Sequence, residues 1–268
     1  MTALSCSYNL RGGLFLKVSI FSTCVVDLLF PNVGQAMVEV LERLGCETSF
    51  PEDQTCCGQP TYNSGYVEES YATLKNQIDC FEDAEYVVGP AGSCVGMLRE
   101  YRHFLKDDPI YGPKAEALAA KSFEFSQFLY RVLGVTDVGA TLNAKATYHR
   151  SCHMTRILKE REAPFILLDH VAGLEMLPLN HIENCCGFGG TFSVKMPEIS
   201  EQMVTEKMND VIDTGAEILI SADMGCLMNI GGKFNRDGKQ IKIMHIAEVL
   251  NQQVDKKRMD QPKIMTVI

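Results

Sequence analysis

The sequence predicts an α/β protein of two duplicated halves, each a small parallel-sheet βα unit with cysteines at the C-terminal edge of its strands. Three observations carry this. Short β-prone runs alternate with amphipathic helical runs along the chain, the order that yields parallel sheets with right-handed crossovers. A cysteine frame occurs twice: Cys24, Cys56-Cys57-Gly58 and Cys94, then Cys152, Cys185-Cys186-Gly187 and Cys226. The single cysteines of each frame follow β-prone runs directly, at the strand ends where parallel sheets gather ligands.

Taken in order, Lys17 to Phe21 is β-prone and ends near Cys24. From Asn32 to Leu44, apolar Val33, Ala36, Met37, Val40, Leu41 and Leu44 recur at helical spacing, and Gly45 ends the run. Glu47 to Phe50 is a second short strand closed by Pro51, and the first Cys-Cys-Gly then opens a loop. A helix is expected from about Val67 to Phe81, a strand over Glu85 to Val88, and a helix again near Val95, just past Cys94. The second half repeats the order. A strand over Ala146 to His149 precedes Cys152, a helix spans Pro164 to Val171, and a strand spans Glu175 to Leu179. After the second Cys-Cys-Gly come a helix from Pro197 to Asp213 and a strand from Glu217 to Ile220 that runs toward Cys226. Each half closes with a strand-to-helix unit, Phe123 to Leu129 and Ile243 to Val249. The halves divide near Asp137 to Lys145 with no Pro- or Ser-rich linker, so they are expected to pack tightly.

At 268 residues with 46% hydrophobic and 22% charged side chains, the chain has enough apolar surface for a core without disulfides. A net charge of −9 argues against nucleic acid as a partner. No apolar run reaches the roughly 18 to 20 residues of a spanning helix, so no transmembrane segment is expected. Residues 1–15 lack the cleavage site of an export signal and are expected to be a disordered leader. The first cysteine-rich half is 16–138, the second 139–252, and 253–268 a polar C-terminal tail. The default compartment is cytoplasmic, where paired cysteines serve as metal ligands or redox groups rather than structural disulfides.

Four thiolates per half suit a soft metal or cluster. Gly58 and Gly187 let the backbone turn sharply at each pair, and Gly187-Phe188-Gly189-Gly190 offers N–H groups to sulfur. Structural zinc is the alternative, although its ligands usually come in closely spaced pairs. A strained vicinal disulfide is a poorer account. Cys6, Cys46 and Cys80 have no counterpart in the other half and read as ordinary buried thiols. His149 and His153 flank the second frame, where a ligand or proton-relay role is open to them, but the first half carries Ser22 and Val25 in those places, so neither is placed in the expected ligand set. His245 is expected to hydrogen-bond in a semi-buried turn. Lys195, soon after the second pair, reads as an exposed lysine. No dinucleotide fingerprint, P-loop or nucleophile elbow is present.

The repeated frame resembles the CCG cysteine-rich domain, which is shared by heterodisulfide reductases and the iron–sulfur subunits of glycolate and anaerobic glycerol-3-phosphate oxidases. Longer stretches, Phe50 to Pro60, Asn63 to Tyr66, Cys185 to Met196 and Met244 to Leu250, resemble the lactate utilisation protein A family, with the likeness running from about Leu16 to Asn251. The resemblance implies an iron–sulfur electron-transfer subunit in a system that oxidises L-lactate to pyruvate. Its implied partners are a larger ferredoxin-like iron–sulfur protein and a smaller companion. The implied cluster ligands are Cys24, Cys56, Cys57 and Cys94, and Cys152, Cys185, Cys186 and Cys226, holding one or two clusters per chain. The CCG-bearing chain of heterodisulfide reductase has a further cysteine where this chain has Met97 and Asn229. A four-thiolate [4Fe–4S] cubane is therefore the simpler expectation than a five-thiolate cluster. A cluster-based thiol or disulfide reductase and a non-redox zinc scaffold are the competing functions.

Overall fold

Val18, Ser19 and Ile20 are all buried, as a central strand covered by helices on both faces must be. They belong to β1 (Lys17–Ile20), in a computed structural model that describes residues 7–8 and 14–262. With β2 (Glu47–Ser49), β3 (Tyr86–Gly89) and β4 (Ser122–Glu124) it forms a four-stranded parallel sheet in the order β2-β1-β3-β4. The second half rebuilds this sheet from β5 (Thr141–His149), β6 (Ala172–Met176), β7 (Ile218–Ser221) and β8 (Lys242–His245). These strands are again all parallel and ordered β6-β5-β7-β8. The winding direction reverses between β1 and β3 and between β5 and β7. Each half thus has a topological switch point at the carboxyl ends of its central strands.

Helices join the strands. The first half holds α1 (Cys24–Leu29), α2 (Pro31–Arg43), α3 (Gln59–Asn63), α4 (Val67–Cys80), α5 (Gly92–Phe104), α6 (Tyr111–Lys121) and α7 (Phe125–Gln127), the last running into a π-helical turn at Phe128–Val132. The second half holds α8 (Cys152–Arg156), α9 (Ala163–Asp169), α10 (Phe192–Lys195), α11 (Pro197–Thr214), α12 (Met224–Arg236) and α13 (Ile246–Leu250). Pro31, Pro164 and Pro197 all sit in the first turn of their helices, where the missing N–H costs no intrahelical bond.

The two halves share one core. Val18, Met37, Leu41 and Phe128 from the first half lie in the same buried cluster as Tyr148, Leu168, Ile220 and Val249 from the second. Contacts between halves are reciprocal: α1 meets α12 as α8 meets α5, and α2 meets α13 as α9 meets α7. Such pairing is that of an isologous interface, in which a surface meets its own equivalent across a two-fold axis. A lone antiparallel bridge between Ala91 and Asp223, equivalent positions just past β3 and β7, lies where that axis passes.

The structure refines several expectations. The strand before Cys152 starts at Thr141, so β5 occupies much of the segment read as the divide between halves. Leu142 and Ala144 pack against the core while Lys145 is exposed, and a bulge between Thr141 and Ala144 breaks the regular alternation. β6 ends at Met176, ahead of Pro178, rather than reaching Leu179. Helix α6, starting at Tyr111-Gly112-Pro113, was not expected. From the leader, the structure describes a two-residue antiparallel ladder of Ser7–Tyr8 with Leu14–Phe15; the rest of that expectation falls outside the described residues. Part of the polar tail folds back on the segment between the halves. The Asp255 N–H donates to the Gly139 carbonyl at 2.8 Å, and the Asp260 carboxylate accepts from the backbone N–H of Thr136 and Asp137 at 2.8 and 3.0 Å. Residues 263–268 lie outside the described residues.

Candidate metal centre

Each single cysteine of the two frames stands in the first turn of a helix at the strand rim. Cys24 opens α1, Cys152 opens α8, and Cys94 and Cys226 are third in α5 and α12. The cysteine pairs arrive on the loops after β2 and β6. At each, a glycine adopts a left-handed conformation, with φ of 77° at Gly58 and 82° at Gly187. A Cβ on Gly187 would sit 2.8 Å from the Ser200 carbonyl oxygen, so both conformation and space demand glycine there. The turn aims the Gly187 N–H at the Cys185 sulfur, 3.4 Å away.

All eight cysteines line one cleft of about 820 Å³, counting its open mouth, between the two halves. In the first half the thiols form a chain. Cys24 donates to Cys56 at 3.8 Å, and Cys57 interacts electrostatically with both Cys56 and Cys94. The second half repeats it, with Cys152 joined to Cys185, Cys185 to Cys186 and Cys186 to Cys226. Hydrogen bonds from the Cys24 and Cys57 thiols hold Cys56 well below the usual thiol range, with the Gly58 N–H assisting. Bonds from Cys152 and Cys186, aided by the Gly187 N–H, do the same for Cys185. Their thiol partners Cys24 and Cys152 are pushed up correspondingly. Within each quartet neighbouring thiols stabilise a thiolate, the form that binds metal.

Polar side chains around the cleft fix these loops. The Tyr101 hydroxyl donates to the Cys57 carbonyl at 2.6 Å, and the Asn229 amide to the Cys186 carbonyl at 2.9 Å. Buried Gln77 clamps both backbone groups of Thr55. The corresponding helix of the second half carries Lys207, which is buried, bonded to the His181 carbonyl and kept below its usual pKa by that burial. Across the cleft, Gln59 and His153 are hydrogen-bonded at 2.8 Å, and His153 lies 3.4 Å from the Cys152 sulfur. Asp223 accepts from the backbone N–H of Gly225 at the start of α12 and of Ser93 at the start of α5. No local sequence signal marks Tyr101, Gln77 or Asp223; they matter because of the backbone groups they satisfy.

The other candidates separate cleanly. Cys46 is in the shared core and Cys80 at the end of α4, both away from the cleft; Cys6 lies outside the described residues. Lys195 leans over the Tyr66 ring at 5.9 Å and does not line the cleft. His245 is fully buried rather than semi-buried. Its Nδ1 accepts from the Ala247 N–H in a capping box, and its Nε2–H donates to the Pro90 carbonyl of the other half. Strand register also corrects one alignment. Ile20 opposes Val88 as Tyr148 opposes Ile220, so the counterpart of His149 is Phe21, not Ser22. Burial holds His149 neutral, with its pKa near 3.

The donor set, four clustered thiols per half with one thiolate favoured, fits a soft metal or cluster. Comparison with known proteins agrees in kind. The model of the cysteine-rich domain called CCG matches residues 18–99 and 146–231. A protein of an Exiguobacterium species named lactate utilization protein A is 61% identical over 240 residues, covering 89% of this chain and 98% of its own. One of the same name from Bacillus subtilis is 60% identical over 236 residues, covering 88% of this chain and 99% of its own. A crystal structure of a hypothetical protein from Helicobacter pylori shares the fold with a TM-score of 0.59 at 9% identity, over 90% of this chain and 50% of that one. Among the described residues no helix is long and apolar enough to cross a membrane.

Proposed function

The chain belongs to the lactate utilization protein A family, a duplication of the CCG cysteine-rich domain, and from that premise we propose that it is an iron–sulfur electron-transfer subunit of a cytoplasmic system that oxidises L-lactate to pyruvate. Cys24, Cys56, Cys57 and Cys94 would hold one cluster and Cys152, Cys185, Cys186 and Cys226 the other. Bound there, an iron–sulfur cluster supplies reversible one-electron transfer. The observation that carries the reading is that both thiol quartets open on one cleft, where two centres would be close enough to pass charge. The chain's own part is to hold the thiolates. The Gly58 and Gly187 turns stabilise sulfur charge at Cys56 and Cys185, while Tyr101 and Asn229 fix the two pairs. Lactate oxidation itself is assigned to the partners, a larger ferredoxin-like iron–sulfur protein and a smaller companion. The acceptor surface is the mouth of the cleft.

The test is iron and acid-labile sulfide per chain after anaerobic preparation with the partners. Cys57→Ser and Cys186→Ser are each expected to remove the iron of one half, about half the total, and to leave the rest. A colourless chain with neither iron nor sulfide overturns the reading. One observation favours a zinc scaffold as the second reading. The 3.8 Å between Cys24 and Cys56 sulfurs matches the edge of a tetrahedron with metal–sulfur bonds of ~2.3 Å, whereas cubane thiolates bind separate irons and stand farther apart. Stoichiometric zinc without sulfide in the same preparation would favour it.

A further inference from the structure

His149 ends β5 and is fully buried, yet neither of its ring nitrogens has a hydrogen-bond partner. Burying a polar group without a partner costs its full desolvation. The same place in the first half holds Phe21, equally buried and packed edge-on against Phe81 with ring centroids 5.8 Å apart. An aromatic seat at this position is therefore satisfied by a hydrocarbon ring, and the second half carries the more costly imidazole instead. Its surroundings indicate why. A ring nitrogen of His149, the Cys186 sulfur and the Cys226 sulfur all lie within 4.8 Å of one another. That spacing suits three donors converging on a single metal atom, since imidazole and thiolate bind at about 2.0 and 2.3 Å.

Resting on the metal-binding reading above, we infer that His149 is a ligand: in the second half a ring nitrogen joins the Cys186 and Cys226 sulfurs in holding the metal centre, while the centre of the first half is held by sulfur alone. The imidazole gives a lone pair and forms no other bond, so one of its two orphaned nitrogens is satisfied. The centres are then unlike. One centre carries a nitrogen donor that the other lacks, a difference a spectroscopic probe of nitrogen can read.

The full chain, made with 15N-labelled histidine, is loaded anaerobically with iron and sulfide, reduced, and read by pulsed EPR. The expected result is a ligand-strength nitrogen coupling that follows the label, is lost in His149→Phe and survives in His153→Gln. A silent label in wild-type chain carrying iron in both halves overturns the inference and leaves the electron-transfer reading intact, and so does a coupling unchanged in His149→Phe. A chain that takes up no iron sinks the electron-transfer reading. Cobalt(II) alone is then the probe, and its visible bands should shift between wild type and His149→Phe. Unchanged bands, or no cobalt uptake, overturn the inference as well.

Discussion

Glu124 is the residue whose burial has the clearest thermodynamic consequence. It caps α7, accepting from the Ser126 hydroxyl and from the Gln127 N–H at 3.1 Å, while its other oxygen has no partner. Complete burial raises its pKa from 4.5 to about 7. The folded state thus binds this proton more tightly than the unfolded state does. Stability from Glu124 is fully present below about pH 4.5 and is lost as pH rises toward 7. At 1.36 kcal/mol per unit the effect is on the order of 3 kcal/mol. Glu124→Gln keeps an acceptor for the cap and removes the charge. Urea titration should find it more stable than wild type by about 1 to 3 kcal/mol at pH 8, with the difference vanishing near pH 4.5. An equal difference at both pH values would refute this. Residue-scale legibility divides along the same line. The eight cysteines of the cleft were legible because their chemistry and repeat are local. The roles of Glu124, His149 and Lys207 were not, because each is set by what the fold leaves around a buried charge or ring.

At the scale of elements, the helix starts are where sequence and site meet. Helices α5 and α12 carry Cys94 and Cys226 in their first turns, and both starts lean on one carboxylate. Asp223 accepts from Gly225 at 3.1 Å within its own half and from Ser93 at 3.0 Å across the axis. Losing a helix cap costs about 1 kcal/mol, and here one side chain serves two. Asp223→Ala should lower stability by about 1 to 3 kcal/mol in denaturant titration and reduce metal uptake in both halves. Asp223→Asn, which keeps one acceptor oxygen, should fall between. Loss confined to the second half would show that the contact with Ser93 is dispensable. The long helices α2, α4 and α11 were legible to within a residue or two because their apolar spacing runs for several turns. The short helices α1, α3, α8 and α10 were not, since four to six residues cannot display a period. They pack on longer helices, α1 and α8 on α12 and α5, α3 on α4 and α10 on α11, so their existence is a tertiary matter. Helix α6 was hidden by Gly112-Pro113, which reads as a break in sequence but sits harmlessly in a first turn.

For the whole molecule, the duplication and the cysteine-bearing rim were legible, and the facing of the two rims was not. A repeat specifies each half twice but says nothing about the axis relating them. That axis is set by surfaces such as Gly92, where a Cβ would lie 2.5 Å from Met154, so that α5 can close on α8. One consequence concerns cooperativity. Phe128, Leu129 and Val132 of the first half are buried in the cluster that also contains Leu167, Ile246 and Val249 of the second. Neither half can therefore keep its apolar faces covered when the other unfolds, and at roughly 25 cal/mol per Å² the exposed area would be costly. The metal-free chain should unfold in a single transition, with circular dichroism and tyrosine fluorescence coincident; the chain has no tryptophan to confuse the second signal. Residues 16–138 made alone should not fold, and mixing them with 139–262 should restore structure. Two separated transitions in the full chain would mean that the shared cluster does not couple the halves. The cleft would then be a seam between independent domains, and its two thiol quartets would have no fixed distance across which to exchange charge.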